Sequence, residues 1–150
     1  MTGAPSDSEI AARIEASFGK QAFMTTLGAR LSHVGAGKVE IELPISAHIS
    51  QQHGFVHAGA VASIADSACG YAALTLMPAG AGILTAEFKI NLLAPVAGDR
   101  LIAKGRVVKA GRTLTLALAE VFAITDGASK LCAMMTATCM TIAGRDGVSD

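Results

Sequence analysis

Residues 58–77 read Ala58-Gly59-Ala60-Val61-Ala62-Ser63-Ile64-Ala65-Asp66-Ser67-Ala68-Cys69-Gly70-Tyr71-Ala72-Ala73-Leu74-Thr75-Leu76-Met77, and Pro78-Ala79-Gly80 closes the run. The stretch is too long and too rich in alanine for a strand, so it predicts a helix. It is about long enough to cross a bilayer. Asp66 at its centre, its many small residues and the absence of Lys/Arg flanks argue instead for a helix buried in protein. A helix apolar on most of its surface must be wrapped rather than covered on one side, which a curved antiparallel sheet can do.

The flanking sequence supplies such a sheet. Val39, Ile41, Leu43 and Ile45 alternate with Lys38, Glu40, Glu42 and Pro44, the period of a half-buried strand that ends at Pro44 or runs along an edge. Residues 84–93, 101–109, 113–125 and 130–142 read as four more strands, separated by turn segments at 95–99, 110–112 and 126–127. Their short connections predict a meander of antiparallel neighbours, because a parallel crossover needs about a dozen residues or more. Upstream, Ser6 and Glu9 form a capping box, and Ile10, Ile14 and Phe18 recur at helical spacing up to Gly19. The expected class is α+β, a single domain over residues 1–150 with residues 1–7 disordered.

Composition narrows the function. The chain has 150 residues, 51% of them hydrophobic, enough for one sizeable core. Twelve basic and twelve acidic side chains cancel, leaving no positive field to attract a polyanion, so nucleic acid is not an expected partner. Cys69, Cys132 and Cys139 lie in apolar segments without C-x-x-C spacing and read as small core residues in a reducing compartment. The polar, acidic start lacks the features of a signal peptide, so a cytoplasmic protein with no membrane partner is expected.

Asp66 is the only charged group between His57 and Met77. One helical turn to either side lie Ala62, Ser63, Cys69 and Gly70, which leave a slot around the carboxylate. Two explanations stand level on spacing alone: a catalytic acid, or a small-residue stripe that lets a sheet or second subunit approach a hydrogen-bonded Asp66. At the helix start, Ala58 and Gly59 present backbone N–H groups that lack intrahelical acceptors and can polarise a carbonyl.

The run His53-Gly54-Phe55-Val56-His57-Ala58-Gly59-Ala60, with Ala65-Asp66-Ser67-Ala68 downstream, resembles the H-G-G and acid of hotdog-fold thioesterases of the phenylacetyl-CoA thioesterase-like branch. The likeness extends from Leu27-Gly28 through Asn91-Leu92-Leu93-Ala94-Pro95 and Gly98-Asp99 to Gly111-Arg112-Thr113. Asp66 lies nine positions after His57 (66 − 57) and Gln51 six before it (57 − 51), and the combined spacing is more specific than any one residue. The resemblance implies hydrolysis of aryl- or medium-chain acyl-CoA by a homotetramer, a dimer of dimers with each site at a subunit interface. Asp66 would be nucleophile or general base, and the Ala58 amide would polarise the thioester carbonyl. Gln51 would orient water or the carbonyl, His57 would support the loop, and Gly59 would leave room for substrate. Alanine at position 58 departs from the usual glycine but preserves the N–H. Arg112 and Thr113 would meet the nucleotide end of CoA, although on residue type alone a solvated basic turn is the better account of them.

No cofactor is expected, since CoA enters as part of the substrate. No metal is expected either: His53 and His57 are four apart, but Gly54 disfavours a helix there and no further ligand has suitable spacing. Phe88, Ile90 and Leu92 should form a core face opposite Glu87, Lys89 and Asn91, and Met134, Met135 and Met140 should line the core or an acyl tunnel. Two alternatives to the thioesterase remain: an acyl-thioester dehydratase or hydratase using His57 and Asp66 as a proton-shuttling pair, and a non-catalytic acyl-CoA binding protein in which Asp66 is dispensable.

Overall fold

The computed structural model describes residues 5–150. The chain runs α1 (Asp7–Phe18), α2 (Ala22–Leu27), β1 (Arg30–Gly35), β2 (Lys38–Pro44), a 3-10 turn (Ala47–Ile49), α3 (Ala58–Leu74), β3 (Gly82–Leu92), β4 (Arg100–Lys109), β5 (Leu114–Thr125) and β6 (Ala128–Ile142). Of the disorder expected for residues 1–7, residues 1–4 lie outside the described residues. Ser6 and Asp7 instead form the cap and first residue of α1: the Ser6 hydroxyl accepts from the Glu9 amide, and the Glu9 carboxylate accepts from the Ser6 amide.

One antiparallel six-stranded sheet has the order β1-β2-β4-β5-β6-β3. Helix α3 contacts β2 through β6, so the sheet curves around it. The apolar positions of β2 point inward, with Val39, Ile41 and Leu43 fully buried. The same holds for Ala117, Ala119 and Val121 of β5 and for Ala133, Met135 and Ala137 of β6. Alanine and glycine dominate where helix meets sheet because the layers lie close. A Cβ built on Gly105 of β4 would stand 2.2 Å from the Ala68 carbonyl oxygen, so only glycine admits the helix backbone there.

The sheet order corrects the expected meander. β3 does not pair with β4; it crosses to the far side and pairs with β6, while β4, β5 and β6 form the meander. The link after β3 leaves the sheet, where the Val56 amide donates to the Val96 carbonyl beside the start of α3. β2 lies between β1 and β4, so it is not an edge strand, and it ends at Pro44. The edges are β1 and β3.

The face expected from Phe88, Ile90 and Leu92 is the helix-facing one, opposite the buried Ala137, Met135 and Ala133 of β6. Phe88 and Leu92 nevertheless remain about half exposed, on an edge strand with no neighbour on its outer side. Of the three methionines only Met135 is in the core; Met134 and Met140 are exposed on the outer face. All three cysteines are buried and unbridged. No helix among the described residues is long and apolar enough to cross a membrane.

Candidate active site

Asp66 sits at mid-helix on the partly exposed stripe of α3 that also carries Gly59, Ser63, Ser67 and Gly70. Its Oδ1 accepts a hydrogen bond from the Thr85 hydroxyl at 2.8 Å. The other carboxylate oxygen has no partner among the described residues, and Asp66 lines a cavity of about 530 Å³. Ser67, Gly70 and Tyr71 of α3, Gly82–Thr85 of β3, Ser17 and Gln21 near α1, and residues 147–150 also line this cavity.

Thr85 reaches Asp66 through a β-bulge. Thr85 pairs with Cys139 and Phe88 with Ala137, both buried positions of β6, while the register slips between Thr85 and Glu87. Without the extra residue, strict alternation would put Thr85 on the outer face with Glu87 and Lys89. The bulge re-aims its side chain at the helix. Nothing in the residue type announces this role, and the pairing register is the only signal that reveals it.

The second group of predicted residues gathers at the N-terminus of α3. His57 is the N-cap, and its Nδ1 accepts from the Gly59 amide at 2.8 Å, so the neutral ring carries its hydrogen on Nε2. A Cβ on Gly59 would lie 2.9 Å from that Nδ1, which explains glycine there. The amides of Ala60 and Val61 donate to the His57 carbonyl. Ala58 is then the one residue of the first turn whose N–H meets no acceptor among the described residues, and it is exposed. The loop leading in is closed by Gln51: its amide donates to the Phe55 carbonyl at 2.8 Å, and its Oε1 accepts from the His53 amide, which leaves the side-chain NH2 free to donate. Gln51, His57 and Ala58 line a second cavity of about 510 Å³ with Phe55, Leu92 and Pro95.

Within one chain these two groups are separate. Asp66 and Ala58 lie eight positions apart on one helix (66 − 58), about 12 Å along its axis at about 1.5 Å per residue. Arg112 and Thr113 border neither cavity; they are exposed in the β4–β5 turn. The ladder Leu84–Met140–Leu114 puts that turn at the Asp66 end of the sheet, away from Ala58. Among the described residues no three His, Cys, Asp or Glu side chains are grouped to hold a metal ion.

Burial shapes the other titratable groups nearby. It pushes the Cys139 thiol up to about 11, with a smaller contribution from the Asp66 charge, and raises Cys69 further still. The Tyr71 phenol is likewise raised by burial, while Ser17 and Gln21 act in the opposite direction; Gln21 Nε2 donates to the phenol oxygen at 3.0 Å.

The sequence profile of the thioesterase superfamily matches residues 53–130, just over half of the chain, including His57, Ala58, Asp66 and Thr85. The chain belongs to that superfamily. Its architecture is the hotdog fold. A thioesterase family protein from Silicibacter pomeroyi is 47% identical, with a TM-score of 0.88 over 90% of this chain and 99% of that one. A Halobacterium salinarum protein named as an esterase is 29% identical over 85% of this chain and 87% of its own length. A variant of the phenylacetic acid degradation protein PaaI from Thermus thermophilus is 26% identical, with a TM-score of 0.69 over 79% of this chain and 96% of that one.

Proposed function

We propose that this thioesterase-superfamily chain hydrolyses acyl-CoA thioesters to the free acid and CoA, with aryl or medium-chain acyl groups as substrates. The carrying observation is the Asp66 carboxylate, held through one oxygen by Thr85 at the lining of a cavity. A thioester carbonyl is attacked either by a water that the carboxylate deprotonates, which gives the acid directly, or by the carboxylate itself, which gives an acyl–Asp66 anhydride that water then hydrolyses; in both the carbonyl becomes an oxyanion and the CoA thiolate departs as it re-forms. The free N–H of Ala58, at the positive end of α3, is the donor for the oxyanion, and the Gln51 NH2 orients the carbonyl or the water. The similarity to a phenylacetic acid degradation protein supports an aryl acyl group.

Because one chain holds Asp66 and Ala58 about 12 Å apart along α3, the reading requires two copies, with the carboxylate of one facing the helix start of the other. Three features support such a homo-oligomer: the stripe of small, partly exposed residues on α3, the unpaired edge of β3, and Phe55, Phe88, Leu92 and Leu93 left 39–53% exposed around it. A dimer of dimers is the assembly we propose, acting in the cytoplasm, with Arg112 and Thr113 at the nucleotide end of CoA. The dehydratase alternative needs His57 and Asp66 as a proton-shuttling pair, and with Nδ1 capping α3 only Nε2 of His57 is left for that role.

The test is release of free CoA thiol from a panel of aryl- and alkyl-CoA thioesters by the wild type and by Asp66→Asn, which keeps an acceptor for Thr85. Release that collapses in the variant with the oligomer intact supports the reading. No release, or equal release from both proteins, overturns it.

A further inference from the structure

The last residues of the described chain do not simply trail off the sheet. Beyond β6 the chain turns back, with the Val148 amide donating to the Arg145 carbonyl at 3.1 Å, and Gly147, Val148, Ser149 and Asp150 form one side of the Asp66 cavity. Two separate contacts fix them there. Val148 lies on Gly82 at the start of β3, where a Cβ would come within 2.7 Å of Val148 Cγ1 and 2.9 Å of its carbonyl oxygen, so glycine is required for the close approach. The Asp150 carboxylate, only 6% exposed, pairs with Nε of Arg13.

Arg13 is itself immobilised. Nη1 donates to the Met77 carbonyl at 2.8 Å, and Nη2 to those of Pro78 at 2.9 Å and Ala81 at 3.5 Å. One guanidinium thus ties the segment to α1 and to the connection between α3 and β3, using the planar fork that lysine lacks.

We propose that residues 147–150, latched by Arg13 and seated on Gly82, are the end wall of the acyl pocket and set the largest acyl group the enzyme accepts. The inference rests on the reading of Asp66 as the catalytic carboxylate. The wall is built from side chains and backbone at the end of one strand, so its position is adjustable without altering Asp66, Thr85 or Ala58. Loosening it lengthens the pocket, and adding bulk to it shortens the pocket.

Two variants move the preference in opposite directions, which separates a pocket effect from general damage. Asp150→Ala cuts the latch and leaves the three Arg13–carbonyl bonds in place. Ser149→Phe adds a ring to a residue that already lines the cavity. With a series from butyryl- to lauroyl-CoA, Asp150→Ala should raise kcat/KM for the longest chains relative to the shortest by roughly tenfold, and Ser149→Phe should lower it by a similar factor. An unchanged chain-length profile in both variants, with CoA release still dependent on Asp66, overturns the end wall and leaves the thioesterase assignment standing. Absence of release by the wild type overturns the assignment, and the end wall with it.

Discussion

Thr85 donates its hydroxyl hydrogen to Asp66 across 2.8 Å, from a bulged edge strand to the middle of the central helix. This fixes one carboxylate oxygen and leaves the other without a partner among the described residues. Thr85→Val keeps the shape of the side chain and removes the donor. Expected are a fall of about ten- to hundredfold in kcat from a misaligned carboxylate, little change in KM, and recovery in Thr85→Ser. Steady-state kinetics on the best thioester checks this, and a Thr85→Val enzyme with wild-type kcat would show that the bond does not orient the carboxylate.

Gly105 meets the Ala68 carbonyl of α3 with no room for a methyl group: a Cβ would lie 2.2 Å from the oxygen and 2.4 Å from the carbon. The neighbour is helix backbone and cannot swing aside. Gly105→Ala is expected to destabilise the fold by about 2 kcal/mol or more, read as a lowered melting temperature. Gly70→Ala, whose Cβ meets nothing within 4 Å, should melt no lower than the wild type because alanine is the better helix former.

These two positions show what was legible in the sequence and what was not. The central helix is found where its length and alanine content put it, β2 where its alternation puts it, and β4–β6 between the turns that bound them. β1 (Arg30–Gly35) has no buried residue and no clean alternation, and α2 is a single short segment between glycines, so neither has a local signature. The place of β3 is not legible from its short connection to β4, because that link leaves the sheet and meets the segment before α3, where the Val56 amide donates to the Val96 carbonyl. Within the site, Asp66, His57 and Ala58 stand out by type and spacing along the chain. Thr85 depends on a bulge set by pairing with a strand about fifty residues later, a relationship no single segment contains. The separation of Asp66 from Ala58 follows directly from helical rise, and it turns a motif that looks continuous in sequence into two half-sites.

The Cys139 thiol, held up to about 11 first by burial and then by the Asp66 charge, predicts a pH effect on stability. The unfolded chain releases this proton near 9.0, while the folded chain holds it to about 11. The stabilisation is therefore complete below pH 9.0 and is lost as pH rises through about 11. Melting temperatures of the wild type should fall more steeply across that window than those of Cys139→Ala, and iodoacetamide should not label Cys139 in the folded protein at neutral pH. Parallel slopes for the two proteins would remove the thiol from the alkaline transition.

The sharpest test of the proposed oxyanion donor comes from the geometry of the helix start. Ala58 is the first helical residue of α3, a position where proline is well tolerated because the N–H it lacks has no intrahelical acceptor. His57, at φ −62° and ψ 137°, already has the extended backbone that a following proline demands. Ala58→Pro thus removes one N–H while the His57 cap on the Gly59 amide is kept. If that N–H holds the developing oxyanion, kcat should drop by about a hundred- to thousandfold, with the melting temperature and oligomeric state unchanged. Ala58→Gly, which keeps the donor and removes the methyl group, should remain active, and any change in its KM with acyl size reports how far that methyl intrudes on substrate. A fully active Ala58→Pro enzyme would place the oxyanion elsewhere, with the free NH2 of Gln51 as the next donor to remove.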